Sequence, residues 1–260
     1  MKLVLLTAFS LCLALPAQAA DLTLYAAGSL KGAMTEIITA YTKATGQPVR
    51  SEFGPSGLLR ERIEAGEPVD LFASADIGHP RTLVRNGKVP YLIRFTGNRL
   101  CAMAKPELGL TTGNVLDKAL DPAVRLGTST PKADPSGDYT WQAFAKAESL
   151  RPGAEATLQA KARQLVGGPN SEKIPSGKSA VPYMFETGKA DMFLAYCTTG
   201  KAAAAEGVPL TVVDLPPTLG VGADYGMAVL KPDASALALF ILSEIGQGIL
   251  SKWGFASMVP

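Results

Sequence analysis

Apolar and polar positions along the chain alternate between two patterns. DLTLYAA (21–27) reads as a strand, and VDLFASA (69–75) is a continuous apolar run, which predicts a strand buried on both faces. Between them, SLKGAMTEIITAYTKATG (29–46) places Leu30, Ala33, Met34, Ile37, Ile38 and Tyr41 at helical spacing, with Gly46 as a stop. PVRSEF (48–53) predicts another strand. SGLLRERIEAG (56–66) predicts a helix with Leu58, Leu59 and Ile63 on one side, and a further helix is expected near HPRTLVRNG (79–87).

The same alternation continues. Strands are predicted at NRLCAMA, VRLGTST, MFLAYCTT, LTVVDL and YGMAVL. Helices are predicted at DYTWQAFAKAESL, at GKSAVPYMFETGKA with Pro182 in its first turns, and over the terminal ASALALFILSEIGQGILSKWGF, where Gly246-Gln247-Gly248 is irregular. Strand after helix throughout predicts an α/β fold with mainly parallel sheets.

The opening segment stands apart. MKLVLLTAFSLCLALPAQA carries one lysine, an apolar run and a small-residue Ala17-Gln18-Ala19 end, the form of an export signal cut after Ala19. It is too short for a membrane span. Over the whole chain of 260 residues the formal charge is +2, with no basic block, so a nucleic-acid role has no support. Export leaves Cys101 and Cys197, which are either a disulfide pair or two buried thiols. His79 is the single histidine and there is no Cys-x-x-Cys, a poor ligand set for a transition metal.

Four stretches share a form that could carry chemistry: Gly28-Ser29, Pro55-Ser56-Gly57, Pro135-Ser136-Gly137 and Pro175-Ser176-Gly177, each read as a helix start. A helix start offers free N–H groups and a positive dipole end, which suits an anion. The competing explanation is structural, because serine is also a preferred helix cap. A hydrolase using Ser56 or Ser136 would need His79 as its base, and no G-x-S-x-G elbow is present.

YAAGSLKGAM (25–34), SEFGPSGLLRERIEAGEPVDLFASAD (51–76) and the terminal SKWGF resemble the periplasmic molybdate-binding proteins that feed ABC importers. The resemblance is strongest over residues 22–105 and at the C-terminus. It implies a two-lobed periplasmic-binding-protein fold, each lobe a mainly parallel sheet flanked by helices, joined by a two-strand hinge. Lobe 1 would hold residues 20–100 and 225–260, and lobe 2 residues 101–224. A monomer of this kind needs no cofactor and would pass molybdate or tungstate to a membrane permease in the periplasm. The implied ligand set is Ser29, Ser56, Ser136, Tyr196 and, to within a residue, Lys178.

Two departures stand out. Ser136 occupies a place where a small apolar residue is more usual. Lys178 would bring a full charge to a site that such proteins keep neutral; either it pairs with Glu172 or Glu186, or the ligand is another anion, such as an organic carboxylate.

Overall fold

The computed structural model describes residues 21–256, so the export-signal segment lies outside the described residues. Nine strands and ten helices are described: β1 (Leu22–Ala27), α1 (Lys31–Thr45), β2 (Val49–Gly54), α2 (Ser56–Glu64), β3 (Leu71–Ser74), α3 (Gly78–Arg85), β4 (Ile93–Ala104), α4 (Val115–Leu120), β5 (Leu126–Ser129), α5 (Pro135–Leu150), α6 (Ala154–Lys161), β6 (Arg163–Val166), α7 (Ala180–Glu186), β7 (Met192–Tyr196), α8 (Cys197–Ala205), β8 (Thr211–Asp214), β9 (Gly222–Val229), α9 (Ser235–Leu242) and α10 (Glu244–Lys252).

The strands run in the order β2-β1-β3-β9-β4-β7-β5-β6, with β8 also on β4. β1 lies between β2 and β3 in parallel, which is why its apolar run is buried almost throughout. β5 lies in parallel between β6 and β7 in the same way. The antiparallel pairings all involve β4 or β9. β4 pairs with β9 over its first half, then with β7 and β8 over residues 100–104. It is therefore the strand that leaves the first lobe and enters the second, and β9 brings the chain back. Two strands therefore join the lobes, as the resemblance implies.

α1 buries Ala33, Met34, Ile37 and Tyr41, the predicted stripe, and ends at Gly46 in the left-handed region. Side chains of this size each gain roughly 1.5–3 kcal/mol on full burial. α1 packs on α10, and Trp253 lies over Gly32 while its indole N–H donates to Glu36 at 3.0 Å. The terminal SKWGF motif thus pins the start of α1, next to Ser29.

Several expectations change. The predicted terminal helix is two helices bent by 61°, and the break is at Ser243, not at the Gly246–Gly248 patch. Ser243 has extended backbone and its hydroxyl caps α10 by accepting from the Gly246 N–H at 3.3 Å. The strand expected over 192–199 stops at Tyr196, and Cys197 opens α8 instead. The helix expected over 177–190 contracts to Ala180–Glu186. Among the described residues no single helix is long and apolar enough to cross a membrane.

A disulfide joins Cys101 on β4 to Cys197, with the Cα atoms 4.8 Å apart. It ties the first residue of α8 to the crossing strand.

Candidate functional site

A cleft of about 1430 Å³ separates the lobes. Ser29, Ser56, Ser136 and Tyr196 all line it, two serines from the first lobe and one serine and the tyrosine from the second. The sequence left open whether the serines merely cap helices. None of them does. Ser29 lies inside a single 3-10 turn (Gly28–Leu30) that runs into α1, and neither this turn nor α1 has a side-chain cap. Ser56 is the first residue of α2, after Pro55, and that helix also lacks a side-chain cap. Ser136 is the second residue of α5, whose cap is Asp134.

The hydroxyls are therefore available, and their surroundings orient them. Asn98 accepts from the Arg99 N–H through Oδ1, so its amide nitrogen must be the donor to Thr198 Oγ1 at 2.9 Å and to the Tyr225 hydroxyl at 3.2 Å. Tyr225 is fully buried and 2.9 Å from Ser29 Oγ. The Tyr225 oxygen accepts from Asn98, and either hydroxyl of the Tyr225–Ser29 pair can be the donor, so the pair fixes the position of Ser29 Oγ on the cleft wall. Ser56 Oγ accepts from the Ala75 N–H at 3.1 Å, which leaves its proton free. Ser136 Oγ is buried and has no partner among the described residues, an unsatisfied donor on the cleft wall.

Tyr196 ends β7, where its hydroxyl donates to the Ala75 carbonyl at 3.3 Å. Burial, reinforced by Tyr225 and Asp134, holds its phenol well above the ordinary tyrosine range, so it remains a donor. Burial does the same to Tyr225. The contact from Tyr196 to Ala75 crosses between the lobes, and two more do so: Gly57 N–H to the Ala133 carbonyl at 3.0 Å, and the Tyr139 hydroxyl to Asp76 Oδ2 at 2.6 Å. One rim of the cleft is therefore closed. The open part lies between α1 with β2 and the 167–181 segment with α8.

Asp134 was not singled out from the sequence. Its carboxyl accepts from the Ser136 N–H at 3.0 Å and is hydrogen-bonded by the Ser129 side chain. It keeps some surface on the cleft, but it is densely surrounded by protein. Desolvation, with a smaller push from Asp138, raises it to about 6 despite the two hydrogen bonds. Tyr225, Asn98 and Ser129 were also missed.

Lys178 departs from its expected place. The Pro175-Ser176-Gly177 stretch is a turn, closed by Lys178 N–H to the Pro175 carbonyl at 3.1 Å, with Gly177 at positive φ. The helix begins two residues after Lys178, at Ala180. The Lys178 ammonium lies 2.8 and 2.9 Å from the Glu186 carboxylate oxygens, which hold it above the usual lysine range. Glu172 pairs with Lys189 instead. Lys178 borders the cleft as a neutralised pair.

His79 forms no hydrogen bond with Ser29, Ser56 or Ser136 among the described residues, and burial lowers its affinity for a proton. Among the described residues the serines thus have no imidazole partner. Three hydroxyls and a phenol line one cleft from both lobes, and among the described residues no lysine or arginine side chain bonds to any of them.

The chain is similar to several proteins in sequence and in fold. It is 39% identical over 233 residues to an uncharacterized protein of Pasteurella multocida, covering 88% of this chain and 96% of that one. It is 31% identical over 184 residues to the molybdate-binding protein ModA of Azotobacter vinelandii, covering 68% and 71%. The solved periplasmic molybdate-binding protein of Azotobacter vinelandii superposes with a TM-score of 0.73 at 21% identity, over 91% of this chain and 99% of that one. The sulfate-binding protein SubI of Mycobacterium tuberculosis gives 0.74 at 19%, over 93% and 88%. Both likenesses show the same two-lobed fold. The model of the bacterial extracellular solute-binding protein family matches residues 22–256, and the chain belongs to that family.

Proposed function

We propose that this chain is a periplasmic binding protein that captures a tetrahedral oxyanion, molybdate or tungstate, between its lobes and delivers it as a monomer to the permease of an ABC importer. In this reading lobe 1 comprises residues 20–100 and 225–260 and lobe 2 residues 101–224. The observation that carries it is the set of Ser29, Ser56 and Ser136, whose hydroxyls are all released from capping and whose helix starts face one cleft. Neutral donors can hold a compact anion without the desolvation cost of burying a counter-ion. Lys31, Lys43 and Lys173 line the wider cleft and have no acidic partner among the described residues, which favours the approach of anions. The match to ModA proteins supports the choice of ion.

A second reading has one observation in its favour. The cleft of about 1430 Å³ exceeds the roughly 300–1,000 Å³ of an ordinary ligand pocket and greatly exceeds one tetrahedral ion. An organic anion bearing a carboxylate or phosphate would use more of it.

Thermal melting separates the two. Molybdate or tungstate at about 100 times its dissociation constant should stabilise the protein by about 2.7 kcal/mol. Ser56→Ala should weaken that binding by about 1.5–3 kcal/mol through loss of a charge-assisted hydrogen bond. A melting point unmoved by either ion, but raised by carboxylates or phosphorylated acids, would replace the first reading with the second.

Lys178→Ala gives a further check. Because Glu186 already neutralises the ammonium, affinity and the order of preference among anions should not change. A changed order would put Lys178 back into the ligand set.

A further inference from the structure

Asp134 sits where an anion-binding cleft should least tolerate it. The N–H of Ser136, a member of the implied ligand set, is taken by Asp134 Oδ1 at 3.0 Å. The carboxyl and the unpartnered Ser136 hydroxyl line the same cleft. Gly167 makes room for the carboxyl: a Cβ there would collide with Asp134 Oδ2. The carboxyl is thus fitted into the protein, with backbone shaped around it.

The neighbouring charges do not compensate it. On its own segment are Asp138, which accepts from the Lys132 N–H at 2.8 Å, and the exposed Lys132 side chain. β7 and β9 contribute the phenols of Tyr196 and Tyr225, both held in their neutral form. The first lobe contributes Asp76, held by the Tyr139 hydroxyl. The 167–173 segment carries Glu172, paired with Lys189, and Lys173. No cation makes an ion pair with Asp134 among the described residues. An ionised Asp134 beside a doubly charged ligand would place like charges together in a desolvated cleft with only neutral donors around them.

We propose, resting on the oxyanion reading above, that Asp134 is protonated in the loaded protein, so that capture of a dianion takes up one proton from solution. The protonated carboxyl adds an O–H donor to the set formed by Ser29, Ser56, Ser136 and Tyr196. The group is poised for this, since its free-state value of about 6 lets it ionise near neutrality when the cleft is empty. The sign follows directly. Below about pH 6 the proton is already present and affinity is flat; above it the ligand must bring the proton in, and the dissociation constant rises about tenfold per pH unit.

The test uses sodium molybdate and sodium tungstate, which remain dianions over the range examined. Isothermal titration of the full mature chain in buffers of different ionisation enthalpy should show uptake of about one proton per ion near pH 7.5, and affinity about tenfold lower at about pH 8 than at about pH 7. Asp134→Asn keeps a good helix cap. It should bind with no proton uptake, without this pH dependence, and more tightly than the natural protein at about pH 8. Proton uptake in the unaltered chain is a readout that does not depend on how the variant folds. PH-independent binding by the unaltered chain overturns the role of Asp134 and leaves the oxyanion reading intact. Absence of binding at any pH, in both proteins, overturns both.

Discussion

Gly57→Ala should leave the protein as stable as before, or slightly more so, while cutting ligand affinity roughly 30-fold to 1,000-fold. Position 57 lies in the first turn of α2, where alanine is a better helix former than glycine by about 1 kcal/mol. The obstacle is across the cleft. A Cβ at this position would lie 2.5 Å from the Lys132 carbonyl oxygen and 2.8 Å from that of Ala133. Both are backbone atoms of the other lobe, so no side chain can swing aside. The lobes must separate along this rim, losing the Gly57 to Ala133 hydrogen bond, which contributes about 1 kcal/mol. Overpacking of this kind costs a further 1–3 kcal/mol or so. If the ligand is held by both lobes together, that total of about 2–4 kcal/mol falls on binding. Calorimetric titration paired with thermal melting reads the two effects separately. Unchanged affinity would mean that this rim need not close.

Reduction of the Cys101–Cys197 disulfide, or Cys101→Ser with Cys197→Ser, should lower stability by about 4 kcal/mol. The bridge closes a loop with a sequence separation of 96, and the chain-entropy argument makes a loop of this length costly to leave open. In a protein of this size the change corresponds to a fall in melting temperature of roughly 8–16 °C. The bond also sits one residue after Tyr196, so the reduced protein should bind more weakly than its stability loss alone requires. Melting and titration with and without reductant measure both. A melting point that ignores reductant would show that the pairings of β4 with β7 and β8 suffice without the bridge.

Local pattern carried the first lobe well. The stripe from Ala33 to Tyr41 and the apolar runs of β1 and β3 state their own burial, because each element packs a continuous face. The second lobe was less readable. EATLQAKARQLV has little apolar periodicity, yet it forms α6 and β6, because α5 and β5 supply the surface they cover. Cys197, Thr198 and Thr199 favour strands locally, but the alanine run that follows wins them for α8.

The site divided in the same way. Ser29, Ser56 and Ser136 were legible as candidates because each sits in a short motif at a helix start. Tyr225 and Asn98 could not, since they meet Ser29 and each other only through pairing of the crossing strands, 196 and 127 residues apart in sequence. Asp134 did carry a signal, an acid just before Pro135 at a helix start, which is the signature of a cap. Its electrostatic meaning depends on what surrounds it in three dimensions.

The double crossing by β4 and β9 also sets an order of assembly. Between the crossings the second lobe is one unbroken stretch of chain, with both cysteines of the bridge inside it. The first lobe is split: β1 to β3 and α1 wait for β9, α9 and α10, which follow the second lobe along the chain. Emerging from the N-terminus, the chain can complete its second lobe while the first is still missing its end. The half begun before the other is therefore finished after it, and the cleft, which needs both, comes into being only when α9 and α10 dock.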